Sequence, residues 1–176
     1  METTAPTTAT NKCIVDMPAH ARVWVYKTPR DLGQAEQKLV RERGAAFTAG
    51  WAAHGAPLDA CVDVLHDRFV VIAVDEQQAA ASGCSIDKSV GFVKNLEHDL
   101  NLMLTDRMFV VYEPALPAGG HEGRLRSVRL QELPVLLKEG SITPDTIVYD
   151  DLVSTVAELR ERFRVPLRAT WMERYL

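Results

Sequence analysis

Leu58-Asp59-Ala60-Cys61-Val62-Asp63-Val64-Leu65-His66-Asp67-Arg68-Phe69-Val70-Val71-Ile72-Ala73-Val74 reads as two strands and the turn between them. In the first half, Leu58, Ala60, Val62 and Val64 fall on one face, and Asp59, Cys61 and Asp63 on the other. That is the period of two that a pleated strand imposes. His66-Asp67-Arg68 is the turn. Phe69 to Val74 is apolar throughout, as expected of a strand covered on both faces. Such a run fits the central strand of a sheet, and the flanking sequence supplies helices for one of its faces.

Upstream, Arg22-Val23-Trp24-Val25-Tyr26 is β-branched and aromatic, a strand. Thr28-Pro29-Arg30-Asp31 has the cap, proline and acid of a helix start. Leu32, Ala35, Leu39 and Val40 then recur at helical spacing, and Gly44 predicts a helix end near Arg43. Residues 45–57 read as an Ala- and Gly-rich connection. Downstream, Ser82 or Ser85 caps a helix with the stripe Val90, Val93, Leu96 and Leu100. Arg107-Met108-Phe109-Val110-Val111-Tyr112 is a further strand. The order strand, helix, strand, strand, helix, strand predicts an α+β fold: a ferredoxin-like βαββαβ core with an antiparallel sheet over 19–113. Residues 114–176 form a C-terminal α/β extension packed on that core. Within it, 114–123 is a Pro/Gly loop, 130–139 a short helix, 146–149 a strand, and Thr155-Val156-Ala157-Glu158 a capping box. Trp171 and Tyr175 are expected to fold back on the body. The Thr- and Ala-rich residues 1–18 read as a disordered tail that carries Cys13.

This topology has a consequence for chemistry. The segment before the second strand (Gly50-Trp51-Ala52-Ala53-His54-Gly55) and the segment after the third (Ala81-Ser82-Gly83-Cys84-Ser85-Ile86-Asp87) come to one edge of the sheet. His20, Asp75 and Glu113 are expected there too. A cysteine in the first turn of a helix meets unpaired backbone N–H groups and the positive end of the helix dipole, both of which favour a thiolate. Cys84 is therefore the candidate nucleophile and His54 its base, with Asp75 or Glu113 to orient the imidazole. The favoured reading is a binding or regulatory module that holds a small ligand or partner at this edge without covalent chemistry, through Trp51, Gly55, Ser82, Gly83, Ser85 and Asp87, with the thiol enzyme as the alternative. The bland alternatives are a packed cysteine, a turn histidine and a core tryptophan.

Composition narrows the rest. The chain has 176 residues, 47% hydrophobic and 25% charged, with a net charge of −4. That balance gives no bulk attraction to nucleic acid or acidic membrane, and Arg124, Arg126 and Arg129 are too few to reverse it. No apolar run approaches the ~18 residues of a membrane span. Cys13, Cys61 and Cys84 are widely spaced, which predicts neither a disulfide framework nor a zinc site and points to a reducing cytoplasm. His20, His54, His66, His98 and His121 are scattered, so neither metal nor cofactor is expected. Asp150-Asp151 reads as a solvated turn. The partner is a small ligand or another protein, and a homo-oligomer is compatible with the open sheet edges.

Four stretches together resemble a family of short bacterial proteins common in the Bacteroidota and their relatives. They are Arg22 to Tyr26, Gly50 to Gly55, Ala81 to Val90, and Thr146-Ile147-Val148-Tyr149-Asp150-Asp151-Leu152-Val153. Members are commonly labelled "ABC transporter ATPase", and the resemblance implies no established activity. The label does not match the residues. A nucleotide-binding P-loop needs G-x-x-x-x-G-K-[ST] ahead of a helix. Here Gly50 to Gly55 is followed by Ala56-Pro57 and a strand.

Overall fold

The computed structural model describes residues 12–77, 80–115 and 124–176. In chain order it has α1 (Lys12–Asp16), β1 (Arg22–Lys27), α2 (Gln34–Ala49), β2 (Ala52–Ala53), β3 (Ala56–Pro57), β4 (Asp59–Leu65), β5 (Phe69–Asp75) and α3 (Gly83–Leu100). β6 (Phe109–Tyr112), β7 (Arg126–Arg129), α4 (Leu133–Lys138), β8 (Ile147–Tyr149), α5 (Val156–Arg162) and β9 (Arg164–Pro166) follow, with 3-10 turns at Leu167–Ala169 and Trp171–Tyr175. The fold is mixed α+β, with all sheet pairing antiparallel.

β4 and β5 pair residue for residue from Asp59↔Asp75 to Leu65↔Phe69. Two left-handed residues, His66 (φ 48°) and Asp67 (φ 57°), turn the hairpin. β1 lies on the other side of β5, giving the order β1-β5-β4. β5 is thus the central strand, and Phe69 to Val74 have no exposed surface. Each of the Phe, Val and Ile side chains among them contributes roughly 1.5–3 kcal/mol of burial.

The fourth strand departs from the predicted plan. β6 does not pair with β1; it joins a second sheet of order β7-β6-β8-β9. The outer edge of β1 is followed by the segment before α5. Arg22 bridges Thr155, the Val23 N–H donates to the Ser154 carbonyl at 2.9 Å, and Lys27 pairs with Asp151 at the far end. With that edge taken, β6 finds its hydrogen bonds with β7 and β8.

Side-chain alternation then stacks four layers. Val62, Val64, Val70, Ile72 and Val74 face α2 and α3, against Val40, Phe92, Val93, Leu96 and Leu100. Val23, Val25, Cys61, Phe69, Val71 and Ala73 face the second sheet, meeting Phe109, Val111, Tyr149 and Phe163. The outer face of that sheet, Val110, Val128 and Val148, is covered by Leu133, Ile142, Leu167 and Met172. Trp171 and Tyr175 pack on this last cluster, as expected.

Several local expectations change. α2 starts at Gln34, where the Gly33 N–H donates to Glu36 Oε2 at 2.8 Å. Thr28 does not cap it; its hydroxyl donates to the Arg30 and Arg68 carbonyls. Gly44 does not end the helix either. It lies in the helix interior against β4, where a Cβ would sit 2.5 Å from Val62 Cβ. The glycine is there for close approach, and α2 continues to Ala49. Val90 is 40% exposed, and the buried face of α3 instead includes Ser85, Ser89 and Phe92. Residues 12–18, expected to be tail, include α1, and Ile14 of that helix and Met17 just after it are buried in the inter-sheet core. Cys13 and Cys61 are joined in a disulfide across 48 residues, with Cα atoms 6.0 Å apart, where free thiols were expected. Sequence spacing could not show that α1 folds back on β4. Most of the predicted 114–123 loop, and His121 with it, lies outside the described residues.

Candidate functional site

The edge at the start of α3 is built by hydrogen bonds among its own residues. Ser82 caps the helix, its hydroxyl accepting from the Ser85 N–H at 3.3 Å. The Ser85 hydroxyl donates back to the Ser82 carbonyl at 2.8 Å. Trp51 is 2% exposed, and its indole N–H donates to the Ser85 carbonyl at 2.9 Å. That bond ties the β2–β3 hairpin to the first turn of α3. The hairpin tip is His54 (φ 51°) and Gly55 (φ 80°). A left-handed backbone suits glycine and is unusual for histidine.

The two segments that sequence topology brings to one edge therefore do meet, through Trp51 and Ser85. What they expose is His54, Gly55, Gly83, Cys84 and Asp87. Cys84 is a free thiol. Among the described residues, no hydrogen bond joins Cys84 to His54. The hydroxyls of Ser82 and Ser85 and the Trp51 N–H are engaged within the fold.

His20 and Asp75 also reach this end of the sheet and pair with each other, Nε2 to Oδ1 at 2.9 Å. The Gln77 N–H and then His20 hold the Asp75 carboxyl below its usual value. Neither is bonded to His54. Glu113 is elsewhere: it accepts from the Tyr149 hydroxyl at 2.9 Å and from Arg164 Nε and Nη2 at 2.6 Å each. Tyr149 packs against His66 with the rings tilted and their centroids 5.0 Å apart, so Glu113 belongs to the β4–β5 turn at the opposite end. The cause is the same rerouting of β6 into the second sheet. Burial works to raise the Glu113 carboxyl, but the Arg164 and Tyr149 hydrogen bonds outweigh it and hold the group low. Burial and the bond to Glu113 push the Tyr149 phenol up. Burial holds His66 below the ordinary histidine value.

Lys27, missed in the sequence, and the Asp150-Asp151 pair lie in the seam between the sheets. Lys27 Nζ and Asp151 Oδ2 are 3.0 Å apart, with side chains only 4% and 7% exposed. Lys27 also sits 5.1 Å from the centroid of the Phe109 ring, across the seam. Asp150 is 3% exposed. Its carboxyl is raised by burial, against the Leu152 N–H that it accepts at 3.0 Å. Asp150-Asp151 is thus a buried corner and not a solvated turn. A signal was available: Val23, Val25 and Lys27 share one strand face, and an inward lysine needs a carboxylate.

A cleft of about 250 Å³ lies on the other half of α3, lined by Arg43, Phe92, Asn95, Leu96, His98 and Asp99. Arg43 and Asp99 pair across it at 3.1 Å. Among the described residues, no group of three or more His, Cys, Asp or Glu is placed to hold a metal ion. No described helix is long and apolar enough to cross a membrane. No family model matches the chain, and neither a curated protein nor a solved structure is significantly similar to it.

Proposed function

We propose that this chain is a binding or regulatory protein whose partner docks on the edge formed by the β2–β3 hairpin and the first turn of α3. The observation that carries this reading is the Trp51–Ser85 bond, which fixes two segments into one surface. His54, Gly55, Gly83, Cys84 and Asp87 are presented on that surface. Trp51, Ser82 and Ser85 support the surface from below. A protein partner suits it better than a small molecule, because the inward donors that would orient a small ligand are already engaged. In the same reading the protein works in the cytoplasm, away from nucleic acid and membranes. It is related to the short bacterial proteins that its motifs resemble, and β1, β4 and β5 are the retained part of a ferredoxin-like sheet.

The test is protection. Alkylation of Cys84 by a small maleimide is followed with and without extract of the source cells. The proposal expects slower labelling with extract, and no slowing in Asp87→Lys. Equal rates in wild type with and without extract contradict it.

The exposed free thiol at a helix start favours one second reading, a thiol-dependent enzyme with Cys84 as nucleophile and His54 as base. It requires the imidazole to swing onto the sulfur when substrate binds. His54 would then control the reactivity of Cys84, and the docking reading gives it no such role.

A further inference from the structure

α1 has five residues, too few to hold a helix alone. Three things hold it. Ile14 and Met17 are buried in the inter-sheet core. Arg160 Nη2 donates to the Val15 and Met17 carbonyls, each at 2.9 Å. Cys13, exposed on α1, is bonded to Cys61, which is 6% exposed on β4. The Cα separation of 6.0 Å lies in the ordinary range for a disulfide. Cys13 is therefore the more exposed partner of the bond, its sulfur 3.9 Å from the Val62 carbonyl, and Cys61 the more buried one.

We infer that Cys13–Cys61 is a reversible thiol latch that releases α1 from the sheet when a dithiol reduces it. The exposed side sets the order of events. A thiolate of the dithiol attacks the Cys13 sulfur, the Cys13–Cys61 bond breaks, and Cys61 leaves as a thiolate that takes up a proton. The second thiol of the dithiol then attacks its own sulfur in the mixed disulfide and displaces Cys13 as a thiolate, which is protonated in turn. The dithiol ends as a cyclic disulfide, and the protein gains two electrons and two protons. A cyclic or small-molecule disulfide runs the exchange backwards. Reduction leaves Arg160 and two apolar side chains to hold five residues, whereas β5 keeps its full set of neighbours. A pair of this kind is compatible with a reducing compartment, where a permanent staple is not expected.

The experiment uses the full chain in mixtures of reduced and oxidised dithiothreitol. The disulfide is followed by intact mass after alkylation, and hydrogen exchange is read in peptides covering 12–18 and 69–75. The expected result is reversible interconversion of the two forms. Exchange over 12–18 is at least tenfold faster in the reduced form, and exchange over 69–75 is unchanged. Cys13→Ser, altered only at an exposed position, should match the reduced form under all conditions. Three outcomes overturn the inference: no disulfide in any mixture, equal exchange over 12–18 in both forms, or loss of protection over 69–75 on reduction. The last would make the bond a staple of the whole fold.

Discussion

The edge at α3 and the seam between the sheets place ionisable side chains in opposite circumstances. At the edge, Cys84 and His54 stand exposed. In the seam, Lys27, Asp150 and Asp151 are buried. Lys27 and Asp151 are paired at 3.0 Å. The edge is assembled by short-range caps and one indole bond, so its outward side chains can be exchanged without cost to the core. The seam joins β1 to the chain before α5, and there each charge depends on its partner. Side chains are free to vary at the first place and constrained by stability at the second.

The largest expected effect follows from breaking the seam. Lys27→Ala leaves Asp151 buried, with Arg107 at 3.7 Å as its remaining ion-pair partner among the described residues. Removing one member of a buried pair costs about 3–5 kcal/mol, read as a lower denaturant midpoint. The double change Lys27→Met, Asp151→Leu removes both charges and should recover most of that loss. If the double variant is no better than the single one, the pair is not what holds the seam.

Next comes the contact between α2 and β4. Gly44→Ala drives a methyl into Val62 Cβ and should cost about 1–3 kcal/mol in a packed core. Gly55→Ala at the exposed hairpin tip meets nothing within 4 Å. Its only penalty is the positive φ of 80°, at most about 1–2 kcal/mol. An equal or larger loss at Gly55 would reverse the ranking of the two regions.

How much of this was legible in the sequence depended on range. The β4–β5 hairpin, the central place of β5, the Ser82 and Thr155 caps and the meeting of Trp51 with the start of α3 all follow from local periodicity and short connections. The route of β6 does not. It is decided by residues 151–155 occupying the β1 edge, a pairing across more than 100 residues. The misplacement of Glu113 and the reading of Asp150-Asp151 as solvated both descend from that one step. The Cys13–Cys61 bond was hidden for a similar reason: a five-residue helix among polar residues carries almost no pattern of its own.

A smaller effect sharpens the comparison through pH. Burial beside Tyr149 holds His66 below the ordinary histidine value of 6.5. The unfolded chain therefore binds that proton more readily. The His66 contribution to stability is complete above about pH 6.5 and shrinks as pH falls below it toward the folded value. His66→Asn keeps a residue that tolerates the left-handed turn and removes the titration. Its stability should fall less than that of wild type between about pH 6.5 and 5, measured by urea unfolding. A parallel fall in both would remove His66 from the account.

In the docking reading, the α3 edge presents Cys84 without a catalytic partner. The most direct test is the rate of Cys84 alkylation by a neutral maleimide in wild type and His54→Ala, from pH 5 to 9, with Cys84→Ser as the blank. Both proteins should label at the same rate at every pH. A tenfold slower rate in His54→Ala below neutral pH would show that the imidazole activates the thiol. That result would contradict the docking reading in favour of the thiol enzyme.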